Sequence, residues 1–245
     1  MTTSSGTFPA ARMVGVSRAG DRWFFCGMAL AIVLTVFWGF LATFYARGAA
    51  LPPLSPLLVA HGIAFSAWVI VFAVQTALIA ANRRALHRRV GMSAAFLAVL
   101  MVGLGLAAAV AALRLGRAPI PGLDPRSFFV VPFFDISIFA ILVGAGLWLR
   151  RDRETHQRLM LLGMIGLIDA AIARIPLHFI QTGGPPVFFG LTDLFVLAAM
   201  AYDFATRRRV HRAYVWGGLL IILSQPLRLI ISGTAAWLWF AGLFL

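Results

Sequence analysis

The stretch VGMSAAFLAVLMVGLGLAAAVAAL, residues 90–113, contains no ionisable side chain and is long enough to cross the hydrocarbon core of a bilayer, which is about 30 Å thick. Six further stretches that are mostly apolar flank it, at 23–45, 55–81, 128–149, 157–180, 186–205 and 214–240. Short segments separate them. The pattern predicts an all-α polytopic membrane helix bundle with seven transmembrane helices over residues 23–245, preceded by a cytoplasmic segment at 1–22.

The composition excludes several classes of protein. Hydrophobic residues make up 61% of the chain and charged residues 12%, which leaves too little polar surface for a globule in water. All 21 basic residues are Arg, so no Lys is present to hold retinal through a Schiff base. The basic residues lie in short runs between the apolar stretches, where topology explains them. We therefore expect the lipid bilayer as a partner and no nucleic acid.

The Arg distribution predicts the orientation, because basic loops are retained on the cytoplasmic side. With the N-terminus inside, the inner segments hold fifteen Arg residues and the outer segments four. The N-terminus is thus predicted in the cytoplasm and the C-terminus outside, in a bacterial inner (plasma) membrane crossed several times.

Ionisable residues within the apolar stretches predict a functional layer, since a charge in hydrocarbon persists only when it is paired or used. At about 1.5 Å per residue, the three Asp and two Arg residues that lie well inside these stretches fall roughly 18–25 Å from the cytoplasmic end. Gln225 shares a face of its helix with one of them. The predicted layer comprises Asp135, Asp169, Arg174, Asp193, Gln225 and Arg228. Asp203, near the inner end of its helix, is expected to pair at the surface with Arg207 to Arg209.

This layer supports the leading hypothesis on function, a polar pocket in the outward half of the bundle that binds a small ligand, an ion or a redox cofactor. Three Asp against two Arg leave one negative charge, which a proton, a cation or a substrate would balance. The alternative is that the charges are interhelical salt bridges that specify packing and bind nothing.

The histidines support two other hypotheses. His61 and His178 both fall at a depth of roughly 31 Å, as a bis-histidine haem or a shared metal would require. His87, His156 and His211 each lie at a predicted cytoplasmic helix start, where three imidazoles could hold the metal of a membrane hydrolase. Alternatively, these three contact lipid phosphate or helix-terminal carbonyls. Whether the protein is an enzyme is left open, as are its cofactor and its oligomeric state.

Five phrases of the chain resemble a family of uncharacterised proteobacterial inner-membrane proteins with seven transmembrane helices. They are His61-Gly62 with Phe65, Trp68 and Gln75; Leu86 to Gly91; His156 to Leu161; Ala173 to Pro176; and Ser224 to Arg228. The resemblance implies the fold and the location but no activity. A more local likeness, limited to His156 to Leu161, is to membrane proteins that assist the assembly of haem-copper cytochrome oxidases, and it implies a haem-binding or assembly role.

Overall fold

The computed structural model describes residues 18–118 and 122–245, and 81% of these residues are helical. Residues 1–17 of the predicted cytoplasmic segment lie outside the described residues. The helices, in chain order, are α1 Arg18–Phe40, which continues as the wider π-helical turn Leu41–Tyr45, α2 Pro56–Ala80, α3 Arg84–Arg114, α4 Pro125–Phe128, α5 Val130–Trp148, α6 Arg153–Ile165, α7 Asp169–Ile172, α8 His178–Arg207, α9 Arg212–Ile231 and α10 Ala235–Gly242.

The surface and interior differ from those of a water-soluble protein. Many large apolar side chains are on the outside, with Phe96 77% exposed and Trp148 85% exposed. Several charged side chains lie inside the hydrophobic core, with Arg158 fully buried and Arg228 2% exposed. This arrangement suits a bundle surrounded by lipid, because hydrocarbon solvates apolar side chains and excludes charges.

Six helical stretches in the described part of the chain are long and apolar enough to cross a membrane. They are Ala19–Tyr45, Pro56–Ala80, Arg84–Arg114, Pro125–Trp148, His178–Arg207 and Arg212–Ile231. The prediction of an all-helical, multi-pass membrane bundle is confirmed. The stretch at 157–180, predicted as a single spanning helix, is instead folded as separate helical pieces.

The break in this stretch has a clear local cause. After α6 ends at Ile165, the amides of Leu167 and Ile168 bond three residues back, at 3.2 Å each, and the helix tightens. The four-residue helix α7 follows, and then Pro176, which has no amide hydrogen to continue it. The side-chain amide of Gln181 donates to the carbonyls of Ala173 and Ile175, at 3.1 and 2.8 Å. The interrupted backbone is therefore hydrogen-bonded within the protein.

The short helix α7 lies directly against α1. A Cβ atom added at Gly39 would be 2.1 Å from the carbonyl oxygen of Ala171, so only glycine allows the two backbones to approach so closely. On its other side, α7 contacts α8. The broken segment is thus part of the bundle interior.

The predicted turn at Gly183 to Pro186 is a sharp kink. Gly184 has φ +63° and ψ −154°, a conformation open to glycine, and it divides α8 into a short helical start and a long second part that opens with Pro185. The last predicted span, 214–240, likewise divides into α9 and α10. The indole of Trp237 on α10 donates to the carbonyl of Arg126 on α4, at 2.8 Å, and fixes α10 across the start of α5.

Candidate functional site

The centre of the candidate site is a buried cluster of two carboxylates and one guanidinium from three different helices. Nη1 of Arg228 on α9 lies 2.5 Å from Oδ1 of Asp135 on α5 and 3.4 Å from Oδ2 of Asp169, the first residue of α7. The three residues are 2%, 8% and 4% exposed. We call these three residues the carboxylate–arginine cluster. The structure thus brings together three of the residues that the sequence placed in one layer.

The helix break positions Asp169. Because a tight turn ends just before it, Asp169 starts a new helix, and its Oδ1 accepts the backbone N–H of Ala170 at 2.7 Å. Its other oxygen faces the guanidinium of Arg228. In an uninterrupted helix, the backbone amide of Ala170 would donate to a backbone carbonyl four residues earlier and would not be available to the Asp169 side chain.

The other groups around Arg228 hold its guanidinium in place. Nη2 donates to the hydroxyl of Ser224, one turn earlier on α9, at 3.3 Å. The rings of Phe134 and Phe189 each have their centroid 5.7 Å from the guanidinium carbon, within the range of cation–π attraction. Nε of Arg228 is buried and has no hydrogen-bond partner among the described residues. The cation is therefore enclosed by aromatic rings and carboxylates, with one donor unused.

Arg174 does not join the cluster. Its side chain is exposed, its Nη1 donates to the carbonyl of Ala170 at 2.5 Å, and its guanidinium carbon lies 4.9 Å from the ring centroid of Phe40. None of the described carboxylates forms an ion pair with it. The carboxylate–arginine cluster consequently carries two acidic groups against one basic group, all of them buried.

Asp193 and Gln225 form a neighbouring pair. Nε2 of Gln225 donates to Oδ1 of Asp193 at 2.8 Å, and Gln225 lies three residues before Arg228 on α9. Asp193 is half-buried and has no ion pair with any described side chain. The predicted layer is therefore divided into the carboxylate–arginine cluster, this adjoining pair and the separate Arg174.

The histidines predicted as haem or metal ligands are in different surroundings. His61 on α2 is half-buried and stacks on Phe65, with ring centroids 4.0 Å apart, whereas His178 is exposed at the start of α8. Within residues 18–118 and 122–245, no group of three or more His, Cys, Asp or Glu side chains is arranged to hold a metal.

Two of the three histidines predicted at the cytoplasmic side are neighbours. The rings of His87 and His156 have centroids 6.5 Å apart, and Nδ1 of His156 donates to the carbonyl of Gly146 at 2.7 Å. His211 instead caps α9, where its Nδ1 accepts the amide of Ala213 at 3.1 Å. Partial burial, together with nearby Arg158, lowers the pKa of His211 below its ordinary value. The three histidines are not brought together.

A second buried charge network was not predicted from the sequence. Arg158 on α6 makes a two-pronged contact with Asp203 on α8, Nε to Oδ2 at 2.8 Å and Nη2 to Oδ1 at 2.7 Å. Arg207 donates to Asp203 at 3.0 Å and to Asp21 on α1 at 2.7 Å. The pairing of Asp203 with Arg207 was expected, but at the surface. In the structure Asp203 is 1% exposed, because α6 packs over it.

The only local signals for this network were two i, i+4 pairs, Glu154 with Arg158 and Asp203 with Arg207. Such pairs are common on exposed helix faces, so the spacing did not indicate burial. The partners that bury the network lie 45 residues apart along the chain.

Two cavities lie away from the carboxylate–arginine cluster. One, of about 280 Å³, is lined by Ala19, Arg22, Trp23, Cys26 and Ala80. The other, of about 50 Å³, is lined by Ser55, Leu58, Ala108, Ala111, Ala112, Leu115 and Arg117. Neither is lined by Asp135, Asp169 or Arg228.

Comparison with protein-family models, with curated proteins and with solved structures finds nothing that matches this chain.

Proposed function

We propose that this chain is a multi-pass protein of the bacterial inner membrane that binds a proton or a small cation at the carboxylate–arginine cluster. The observation that carries the proposal is the charge of the cluster. Two buried carboxylates face one guanidinium, and Arg174, the other arginine of the predicted layer, forms no ion pair with a described carboxylate. A buried charge without compensation costs several kcal/mol, so a further positive charge is expected there.

A proton or a cation supplies that charge in different ways. A proton on Asp135 or Asp169 would neutralise one carboxylate and leave a simple ion pair with Arg228. A small cation would be bound by the oxygens of both carboxylates, since hard cations prefer oxygen ligands. Exchange between the two would couple cation binding to proton release.

The interrupted backbone next to the cluster supports a binding role. In membrane proteins, irregular backbone at bilayer depth is tolerated where it faces protein or a polar cavity, and broken helices commonly surround ion sites. Here the break between α6 and α7 places Asp169 at the start of a four-residue helix.

Seven crossings, with the N-terminus inside, fit the same arrangement. Arg158 near the start of α6 pairs with Asp203 near the end of α8, so α6 begins on the side of the membrane where α8 ends. We propose that the long second part of α8 crosses the bilayer towards that side, and that α6, α7 and the residues before α8 together cross it in the opposite direction. This broken stretch would be a seventh crossing, added to the six candidate spanning helices.

The experiment that tests the proposal compares thermal unfolding of the detergent-purified protein in sodium, potassium and choline chloride at equal ionic strength. A ligand that binds only the folded state at a hundred times its Kd stabilises it by about 2.7 kcal/mol. We expect stabilisation by one of the small cations over choline, and its loss in D135N and in D169N. The matched control is D193N, which removes a neighbouring carboxylate that has no ion pair and should keep the effect.

The proton form is tested on the same samples by infrared spectroscopy. A protonated carboxyl group has a C=O stretch that a carboxylate lacks, and we expect this band at neutral pH in the wild-type protein when cations are replaced by choline. It should disappear in D135N or D169N. A wild-type protein with neither cation-specific stabilisation nor a protonated carboxyl band would show that the cluster is a structural ion pair only.

A further inference from the structure

The larger cavity lies at one end of α1 and α2, at the level where the chain leaves the bilayer. Its lining residues are the first turns of α1, with Arg22, Trp23 and Cys26, and the last residue of α2, Ala80. Both helices are among the six that can cross a membrane. With both helices in a membrane, a cavity of about 280 Å³ at their ends would be within reach of lipid headgroups.

Arg22 gives this cavity a positive charge with a donor that is not used. Its Nη2 donates to Oδ1 of Asn82 at 2.6 Å and its Nη1 to the carbonyl of Ala80 at 3.3 Å, which orients the guanidinium. Nε is buried and has no partner among the described residues. Each Nη atom carries a second N–H, which can donate to a phosphate oxygen.

The neighbouring acidic residue does not neutralise Arg22. Asp21 is 7% exposed and is paired with Arg207, at 2.7 Å, and with the hydroxyl of Tyr202, at 3.0 Å. On the other side, Asn82 belongs to the turn between α2 and α3 and is followed directly by Arg83 and Arg84, both exposed. The surroundings of the cavity are therefore positively charged.

Trp23 supplies the apolar part of the cavity. It is 79% exposed, although indole is among the most costly side chains to leave in water. Tryptophan is enriched at the boundary between lipid and water, where its ring lies at the level of the headgroups. An arginine can bind the anionic phosphate of a phospholipid, and an exposed tryptophan beside it can contact the adjoining glycerol and acyl chains.

We propose that this cavity is a binding site for an anionic phospholipid, with the lipid phosphate on Arg22 and the glycerol region against Trp23. The inference does not depend on the carboxylate–arginine cluster, and it needs only that α1 and α2 lie in a membrane. A free phosphate ion would use Arg22 but would make no use of Trp23.

The single cysteine of the chain provides the test, because Cys26 lines the same cavity. We would measure the rate of Cys26 alkylation by a small water-soluble thiol reagent, with the full chain in nanodiscs of phosphatidylglycerol or of phosphatidylcholine. A bound anionic headgroup covers the cavity, so labelling of the wild-type protein should be severalfold slower in phosphatidylglycerol. Equal rates in the two lipids would overturn the proposal, and this comparison needs no substitution.

Two variants distinguish the site from a general effect of a negative membrane surface. In R22Q, the ratio of the rates in the two lipids should approach one, whereas R47Q, at the opposite end of α1, should keep the wild-type ratio. If R22Q retains the full protection, Arg22 is not the phosphate ligand and the proposal fails. Inorganic phosphate added to phosphatidylcholine nanodiscs should leave the rate unchanged, and protection equal to that by phosphatidylglycerol would assign the site to a free anion.

Discussion

Replacing Arg228 by Leu should strongly destabilise the protein, because it leaves Asp135 and Asp169 buried together without their cation. Arg228 makes ionic contacts of 2.5 and 3.4 Å to these carboxylates and is 2% exposed. Removal of one partner from a buried ion pair costs about 3–5 kcal/mol, far more than for an exposed pair. For a chain of this size, that corresponds to a fall in Tm of roughly 6–20 °C.

The assay is thermal unfolding in detergent, followed by tryptophan fluorescence and by the fraction that remains monodisperse. The matched control is R174L, which removes an arginine of the same predicted layer that is exposed and contacts a backbone carbonyl and a ring. We expect R174L to change stability by less than about 1 kcal/mol.

A rescue experiment separates charge from packing. In the triple variant R228L/D135N/D169N no charge is left in the cluster, and the loss of a whole buried ionic group costs less than the loss of one partner, because no charge remains without a counter-charge. We therefore expect the triple variant to recover much of the lost Tm. An R228L protein that melts like the wild type would refute the reasoning, and so would a triple variant that melts as low as R228L.

Three further substitutions test other parts of the structure. G39A should prevent the normal packing of α1 on α7 and reduce the yield of monodisperse protein, because its Cβ would lie 2.1 Å from a carbonyl oxygen, whereas G27A, with nothing within 4 Å, should be tolerated. D203N should lower stability by about 3 kcal/mol, since it removes the buried carboxylate from the fully buried Arg158 and leaves only the partly exposed Glu154 as its anion; a Tm within a degree or so of the wild type would contradict the burial of this pair. D152A should cost about 1 kcal/mol as a lost helix cap of α6, and D152N less. A hydrogen bond from the Thr155 hydroxyl lowers the pKa of Asp152, so the difference between D152N and the wild type should be present at neutral pH and disappear as the pH falls through that pKa; a difference independent of pH would be inconsistent with this account.

The depth of the charged residues could be read from the sequence, but their partners could not. A constant rise per residue in a helix places Asp135, Asp169 and Arg228 in one layer, and the structure joins them. The same arithmetic placed Arg174 in that layer. Depth alone does not say which side of a helix faces the bundle, and Arg174 follows the break, where the helical rotation is lost.

Apolar run length determined the all-helical membrane architecture, since hydrocarbon leaves the backbone no partner outside the helix. Composition likewise excluded a retinal protein. Only the tertiary structure decided that residues 157–180 fold as broken pieces, that Arg158 and Asp203 meet inside the bundle and that Arg22 and Trp23 share a cavity. The physical reason is that membrane spanning depends on the hydrophobicity of one local stretch. An ion pair between helices depends instead on how each helix is rotated and packed, and that is determined by residues far apart along the chain.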